Sequence, residues 1–86
     1  MKNISCFTAV EQYIKILSRK YKYGNISKID FIITLVVLKD DILPFFKNYN
    51  LNEINNFEIS LFFKEYNKEK IEQITNLIFD MKNLNK

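Results

Sequence analysis

Few residues in this chain could carry out chemistry. Its 86 residues include no histidine, one cysteine (Cys6), one glycine and one proline. A Ser-His-Asp or Cys-His arrangement needs the missing imidazole. One glycine cannot build a phosphate-cradling loop. A lone cysteine without histidine gives no credible zinc or transition-metal ligand set. Asp40 and Asp41 are the only adjacent carboxylates; they could hold a cation or act as acid and base, but a helix cap on a solvated turn is the reading adopted. Cys6 reads as a free, buried thiol. No catalytic, cofactor-binding or metal-binding residue is assigned, and an enzyme is not expected.

Two groups remain that could bind something. The stretch SRKYKYGNISK mixes Arg19, Lys20 and Lys22 with two tyrosines, a combination that can follow a nucleic-acid backbone and stack bases. The alternative is a solvated helix end. A helix-turn-helix reading fails, because the following helix is apolar beyond its first turn and a recognition helix needs polar side chains for the major groove. The second group is Phe45, Phe46, Tyr49, Phe62 and Phe63. Consecutive helical residues diverge by about 100°, so neither Phe-Phe pair points wholly inward from a narrow stripe. Some of this aromatic surface is open to a partner, or all of it is core.

Helices must position these groups. Thr8 and Glu11 form a T-x-x-E capping box, followed by the stripe Val10, Tyr13, Ile14, Leu17 and Tyr21. The first helix is predicted over 9–23, with Gly24 as its left-handed terminator. Ile26 to Leu38 comes next, and from Phe31 to Leu38 only Thr34 is polar. Its β-branched residues favour a strand. The S-x-x-D start at Ser27 and Asp30, the staple positions Ile26 and Phe31, and a length of about three turns favour a helix. An apolar helix belongs at the centre of a fold, so Ile32, Ile33, Leu35 and Val36 are expected among the most buried residues. Lys39-Asp40-Asp41 reads as a break, with an aspartate capping a short helix that has Pro44 in its first turn. A fourth helix is predicted from about Leu51–Glu53, with Ile54, Phe57, Leu61 and Phe62 inside. Asn67 is expected to cap a fifth, whose inner stripe is Ile71, Ile74, Leu77, Ile78, Met81 and Leu84.

The predicted fold is all-α: a single domain over 1–86, a compact bundle of about five short helices. A chain this short buries roughly 60–65% of its unfolded surface, and with 48% hydrophobic residues it is expected to fold. Net charge is +3 from thirteen basic and ten acidic residues, weak for a dedicated nucleic-acid binder. Abundant Lys, Asn and Ile suggest an AT-rich genome, so individual Asn and Lys identities carry less weight. The start, MKNISCFTAVEQ, lacks a sustained apolar run, and no signal peptide is expected. Residues 31–38 are too few to span a bilayer. A reducing compartment, cytoplasm or organelle interior, is the expected location.

The order of these elements resembles the N-terminal repeat of Clp-type AAA+ unfoldases over about 7–65. Phe7-Thr8 stands ahead of an amphipathic helix, as an F-T pair does in that family. The family pattern T-E-H-L-L-L-A-L-L is matched in its apolar half by Lys28-Ile29-Asp30-Phe31-Ile32-Ile33-Thr34-Leu35-Val36 and departs from it in the T-E-H half. Asn48-Tyr49-Asn50-Leu51 resembles the turn written G-V-D, without the glycine. Residues 67–86 form an additional helix that would open a second, incomplete repeat. The resemblance implies a non-catalytic domain that docks adaptors or substrate segments for an unfoldase whose ATPase modules this chain lacks. Ile29 in place of the family's acidic residue puts binding of phosphorylated arginine there in doubt. Two other functions fit the sequence: a small helical inhibitor or immunity protein from a phage or mobile element, and a nucleic-acid-binding accessory protein. A protein partner is the expectation, with nucleic acid and membrane disfavoured.

Overall fold

Most of the α-helices begin at a side chain that accepts from the N–H groups of the first turn. The computed structural model describes residues 4–85; residues 1–3 and Lys86 of the single domain expected over 1–86 lie outside it. Helix α1 spans Cys6–Lys22, α2 Lys28–Val36, α3 Leu43–Phe46, α4 Asn56–Phe62 and α5 Lys68–Leu84. A π-helical segment, Val37–Ile42, joins α2 to α3, and a 3₁₀ turn, Leu51–Glu53, precedes α4. The fold is all-α, and the only pairing of extended backbone among the described residues is one bridge between Ser5 and Asn50.

The start of α1 corrects the sequence reading. Ser5, not Thr8, is the N-cap: its Oγ accepts from the Thr8 N–H at 3.1 Å. Phe7 and Thr8 therefore lie inside the first turn. The cause is non-local. The Cys6 N–H donates to the Tyr49 carbonyl at 2.8 Å and the Leu51 N–H to the Ile4 carbonyl at 2.7 Å, which fixes the chain just ahead of Ser5. The far end follows expectation. Gly24 has φ +75°, and the Asn25 and Gly24 N–H groups donate to the Lys20 and Tyr21 carbonyls, a Schellman closure. Ser27 caps α2, its Oγ accepting from Asp30 N–H at 3.0 Å.

The Lys39-Asp40-Asp41 break does not exist. α2, the π segment and α3 form one uninterrupted helical rod over 28–46. At its π turn the Leu43 N–H reaches the Leu38 carbonyl, five residues back. The turn sits just before Pro44, whose ring and missing N–H disfavour a regular α-turn over the Asp40 carbonyl; a π turn accommodates an extra residue in a continuing helix. Neither aspartate caps α3, since the residue ahead of it, Ile42, is helical and has no side-chain cap bond. Asp41 instead turns inward, accepting from the Tyr66 hydroxyl at 3.2 Å and pairing with Lys70 Nζ at 3.1 Å.

The rod changes character along its length. Val37, Leu38, Ile42 and Phe46 are fully or nearly fully buried. α2 itself has no buried residue, which overturns the expectation for Ile32, Ile33, Leu35 and Val36: Leu35 is half-buried and the other three are exposed. Outside its own rod the principal neighbour of α2 is α1, and Phe31 holds the pair by stacking on Tyr21 with ring centroids 4.8 Å apart.

The fourth helix begins later than expected, because two N-x-x-E boxes compete five residues apart. Asn50 with Glu53 closes the 3₁₀ turn, and Asn55 with Glu58 starts α4. The stripe is shifted accordingly. Ile54, Ile59 and Phe63 are buried, whereas Phe57 and Leu61 face outward. Asn67 caps α5 as predicted, its Oδ1 accepting from the Lys70 N–H at 2.8 Å. Ile74, Leu77, Ile78 and Met81 are buried, Ile71 is half-buried, and Leu84 is exposed. Cys6, Ala9, Val10 and Leu17 complete the core from α1. The principal extents of 36 × 31 × 18 Å describe a slab; 18 Å leaves room for about two packed helices of 10–12 Å diameter.

Candidate functional site

The thiol and two tyrosine hydroxyls are held toward their protonated forms. Cys6 is fully buried, and burial pushes its thiol up to about 12, far from the thiolate that reacts. The Tyr66 hydroxyl is raised by desolvation and then by its bond to Asp41. Tyr13, half-buried and 3.3 Å from Asp80, is pushed up to about 12, first by desolvation and then by the Asp80 charge and hydrogen bond. Among the described residues no three His, Cys, Asp or Glu side chains gather where they could hold a metal ion.

The aromatic residues singled out in the sequence do come together, mostly as core. Phe46 meets Tyr49, Phe62 and Phe63 with centroids 5.3, 5.3 and 5.8 Å apart, and Phe45 meets Phe63 at 4.9 Å. Such tilted and edge-on contacts are favourable beyond their buried area. Phe46 and Phe63 have no exposed surface, and Tyr49 and Phe62 are half-buried; only Phe45 is substantially open. As a partner surface the group therefore reduces to Phe45.

The basic triplet is exposed, as expected of a helix end, but it does not share one face. Lys20 lines a groove of about 340 Å³ with Tyr13, Ile16, Asp80 and Leu84, on the α5 side. Lys15, Arg19 and Lys22 are spaced at i, i+4 and i+7, so they follow one another along a different stripe of α1. Lys15 lies on the wall of a second groove, about 390 Å³, with Phe7, Ile14, Lys39 and Leu43. Lys47 stands over the Phe7 ring at 5.6 Å.

The surface that the sequence reading missed is on α2. Ile29 is 69% exposed, and Ile32, Ile33 and Val36 are each 46% exposed. Their spacing is i, i+3, i+4 and i+7, one continuous stripe about two turns long. Scattered apolar residues on a surface are ordinary; Phe57 and Leu61, one turn apart on α4, and Phe79 and Leu84 on α5 are also exposed. Four aliphatic side chains in one stripe are not ordinary. The stripe is legible as a pattern in the sequence, but a segment with so few polar residues predicts a central helix. The helix covers its Phe31 side against α1, and among the described residues its other side stays exposed. No helix among the described residues is long and apolar enough to cross a membrane.

Comparisons with protein-family models, curated proteins and solved structures find no match to this chain.

Proposed function

We propose that this chain is a non-catalytic protein-docking domain that engages its partner through the apolar face of α2. One observation carries the reading: a nine-residue helix with no buried residue presents Ile29, Ile32, Ile33 and Val36 side by side to solvent. Covering an aliphatic side chain fully contributes about 1.5–3 kcal/mol, so a helix laid on this stripe gains most of what α2 leaves unsatisfied. Helix-on-helix recognition uses this i, i+3, i+4, i+7 spacing.

Within this reading the partner is an adaptor or a substrate segment of a Clp-type unfoldase. Its support is the helix order and the Ser27-capped apolar helix after the Gly24 turn. The aromatic surface proposed from sequence contributes Phe45 at most, and the α2 stripe takes its place.

A photo-crosslinking residue at position 33, with one at position 79 as control, tests the reading in a native lysate. Position 33 is expected to trap a discrete protein adduct that disappears when Ile29 and Val36 are changed to Gln; position 79 should not trap the same protein. Equal adducts from both positions, or adducts indifferent to those substitutions, would overturn it.

A further inference from the structure

We propose that Pro44 is a positioning residue for the α2 face: the π turn ahead of it sets which side of α2 looks outward, an inference that rests on the docking reading above. The wide turn is confined to one place in the rod. Before it the Val37 N–H donates to the Ile33 and Thr34 carbonyls, and after it the Lys47 N–H donates to the Leu43 carbonyl, so both flanks are ordinary helix. Between them the Leu43 N–H reaches back five residues to the Leu38 carbonyl. Pro44 is exposed, so packing does not demand it. It has no N–H to give the Asp40 carbonyl, and in a regular α-turn its ring would crowd that same carbonyl.

One residue more in a turn amounts to a rotation of about 100° between the two ends of the rod. The far end is fixed in the core by Val37, Leu38, Ile42 and Phe46, and Asp41 ties it to Tyr66 and Lys70. The rotation therefore falls on α2. Phe31, Thr34 and Leu35 are its half-buried residues, and Phe31 lies on Tyr21 of α1. Were 28–46 a regular α-helix, each residue of α2 would stand about where its predecessor now stands. Ile32 would take the inward place of Phe31, and Val36 that of Leu35. Phe31 would move to the exposed place of Asp30, with Ile29 and Ile33 still outside, and the stripe would be split. The π turn is what brings four aliphatic side chains onto one open face, in keeping with the frequent occurrence of such turns at functional sites.

Two variants and two readouts test this. Pro44→Ala restores the N–H and removes the ring. Pro44→Ala combined with deletion of the exposed Asp40 takes one residue out of the rod, which in a regular helix turns α2 back by about the same angle. Exposure of isoleucine and valine methyls to a neutral gadolinium chelate reads the aim of α2 without any partner. Trapping from position 33 reads docking, and urea melts confirm that each variant is folded. In Pro44→Ala, Ile32 and Val36 should become protected while Ile29 and Ile33 stay exposed, and trapping should fall about tenfold because two of its four anchors have turned inward. The deletion should return both readouts to the native level; recovery on removing a residue separates positioning from a general loss of packing. Native exposure of Ile32 and Val36 in Pro44→Ala, protection that persists in the double variant, or loss of the fold in either would overturn the proposal. Methyls that shift and recover while trapping from position 33 stays constant would overturn the docking reading and leave the aim of α2 assigned to Pro44.

Discussion

Two truncations on one rod, Leu38→Ala and Ile33→Ala, separate its buried part from its exposed part. Leu38 has no exposed surface. Cutting it to Ala removes apolar contacts and leaves a cavity, a cost of about 2–5 kcal/mol. Ile33 keeps 46% of its surface in solvent. Full burial of isoleucine contributes about 1.5–3 kcal/mol, so truncating a side chain only half covered forfeits on the order of 0.5–1 kcal/mol. Ala returns a few tenths of a kcal/mol as the better helix former. The expected ratio is therefore severalfold in favour of Leu38. Urea unfolding followed by far-ultraviolet circular dichroism measures both, at a protein concentration low enough to keep the chain monomeric. With total stability of about 5–15 kcal/mol and a slope of about 1 kcal/mol/M, Leu38→Ala should lower the midpoint by about 2 M or more, and Ile33→Ala by less than about 1 M. Equal losses from the two would mean that Ile33 is packed inside the monomer, and the exposed-stripe account would be wrong.

Four further outcomes follow from local geometry. Ser5→Ala and Ser27→Ala should each cost about 1 kcal/mol in the same unfolding assay, and Thr8→Ala distinctly less, because Ser5 and Ser27 accept from backbone N–H groups as N-caps. Phe46→Ala should cost about 3–5 kcal/mol, and Phe45→Ala less, since Phe46 is enclosed and Phe45 is 39% exposed. Cys6 should resist alkylation until the chain unfolds, as a mass-spectrometric time course with and without urea would show. Its pKa rises from 9.0 to about 12 on folding, and that of Tyr13 from 10.0 to about 12. Both groups keep their proton longer when folded, so their contribution to stability is complete below about pH 9 and is lost as pH climbs toward 12. Replacing Cys6 by Ala should remove the part of that loss that begins near pH 9.

The sequence was most readable where a helix end is decided within a few residues. Gly24, Ser27 and Asn67 sit where local cap chemistry places them, and the all-α class follows from the same signals. It was misleading where a distant contact decides. Thr8 and Glu11 make a better box on paper than Ser5, but the chain ahead of α1 is tied to Tyr49 and Leu51, far along the sequence. Asp41 looks like a capping residue until Tyr66 and Lys70 arrive to occupy its carboxylate. Asn50 and Asn55 both start N-x-x-E boxes; discounting asparagine as compositional bias concealed the second and turned Phe57 and Leu61 the wrong way. The α2 stripe was hidden by a sound rule applied outside its range. A helix apolar on all sides belongs inside a fold when the fold has layers enough to cover it, and a slab 18 Å thick does not. That mismatch between an apolar helix and a thin domain is itself the feature that directs attention to a partner.

The most direct test of the docking face is methyl NMR with isoleucine δ1-labelled protein and a neutral gadolinium chelate as a solvent probe. In the free chain, the methyls of Ile29, Ile32 and Ile33 should relax rapidly, and those of Ile54, Ile74 and Ile78 should be protected, in keeping with their burial. Adding the protein that position 33 traps should protect the three α2 methyls and leave the core methyls unchanged. Protection of Ile32 and Ile33 in the free monomer to the level of Ile74, or α2 methyls that stay exposed at saturating partner while others become covered, would contradict the account.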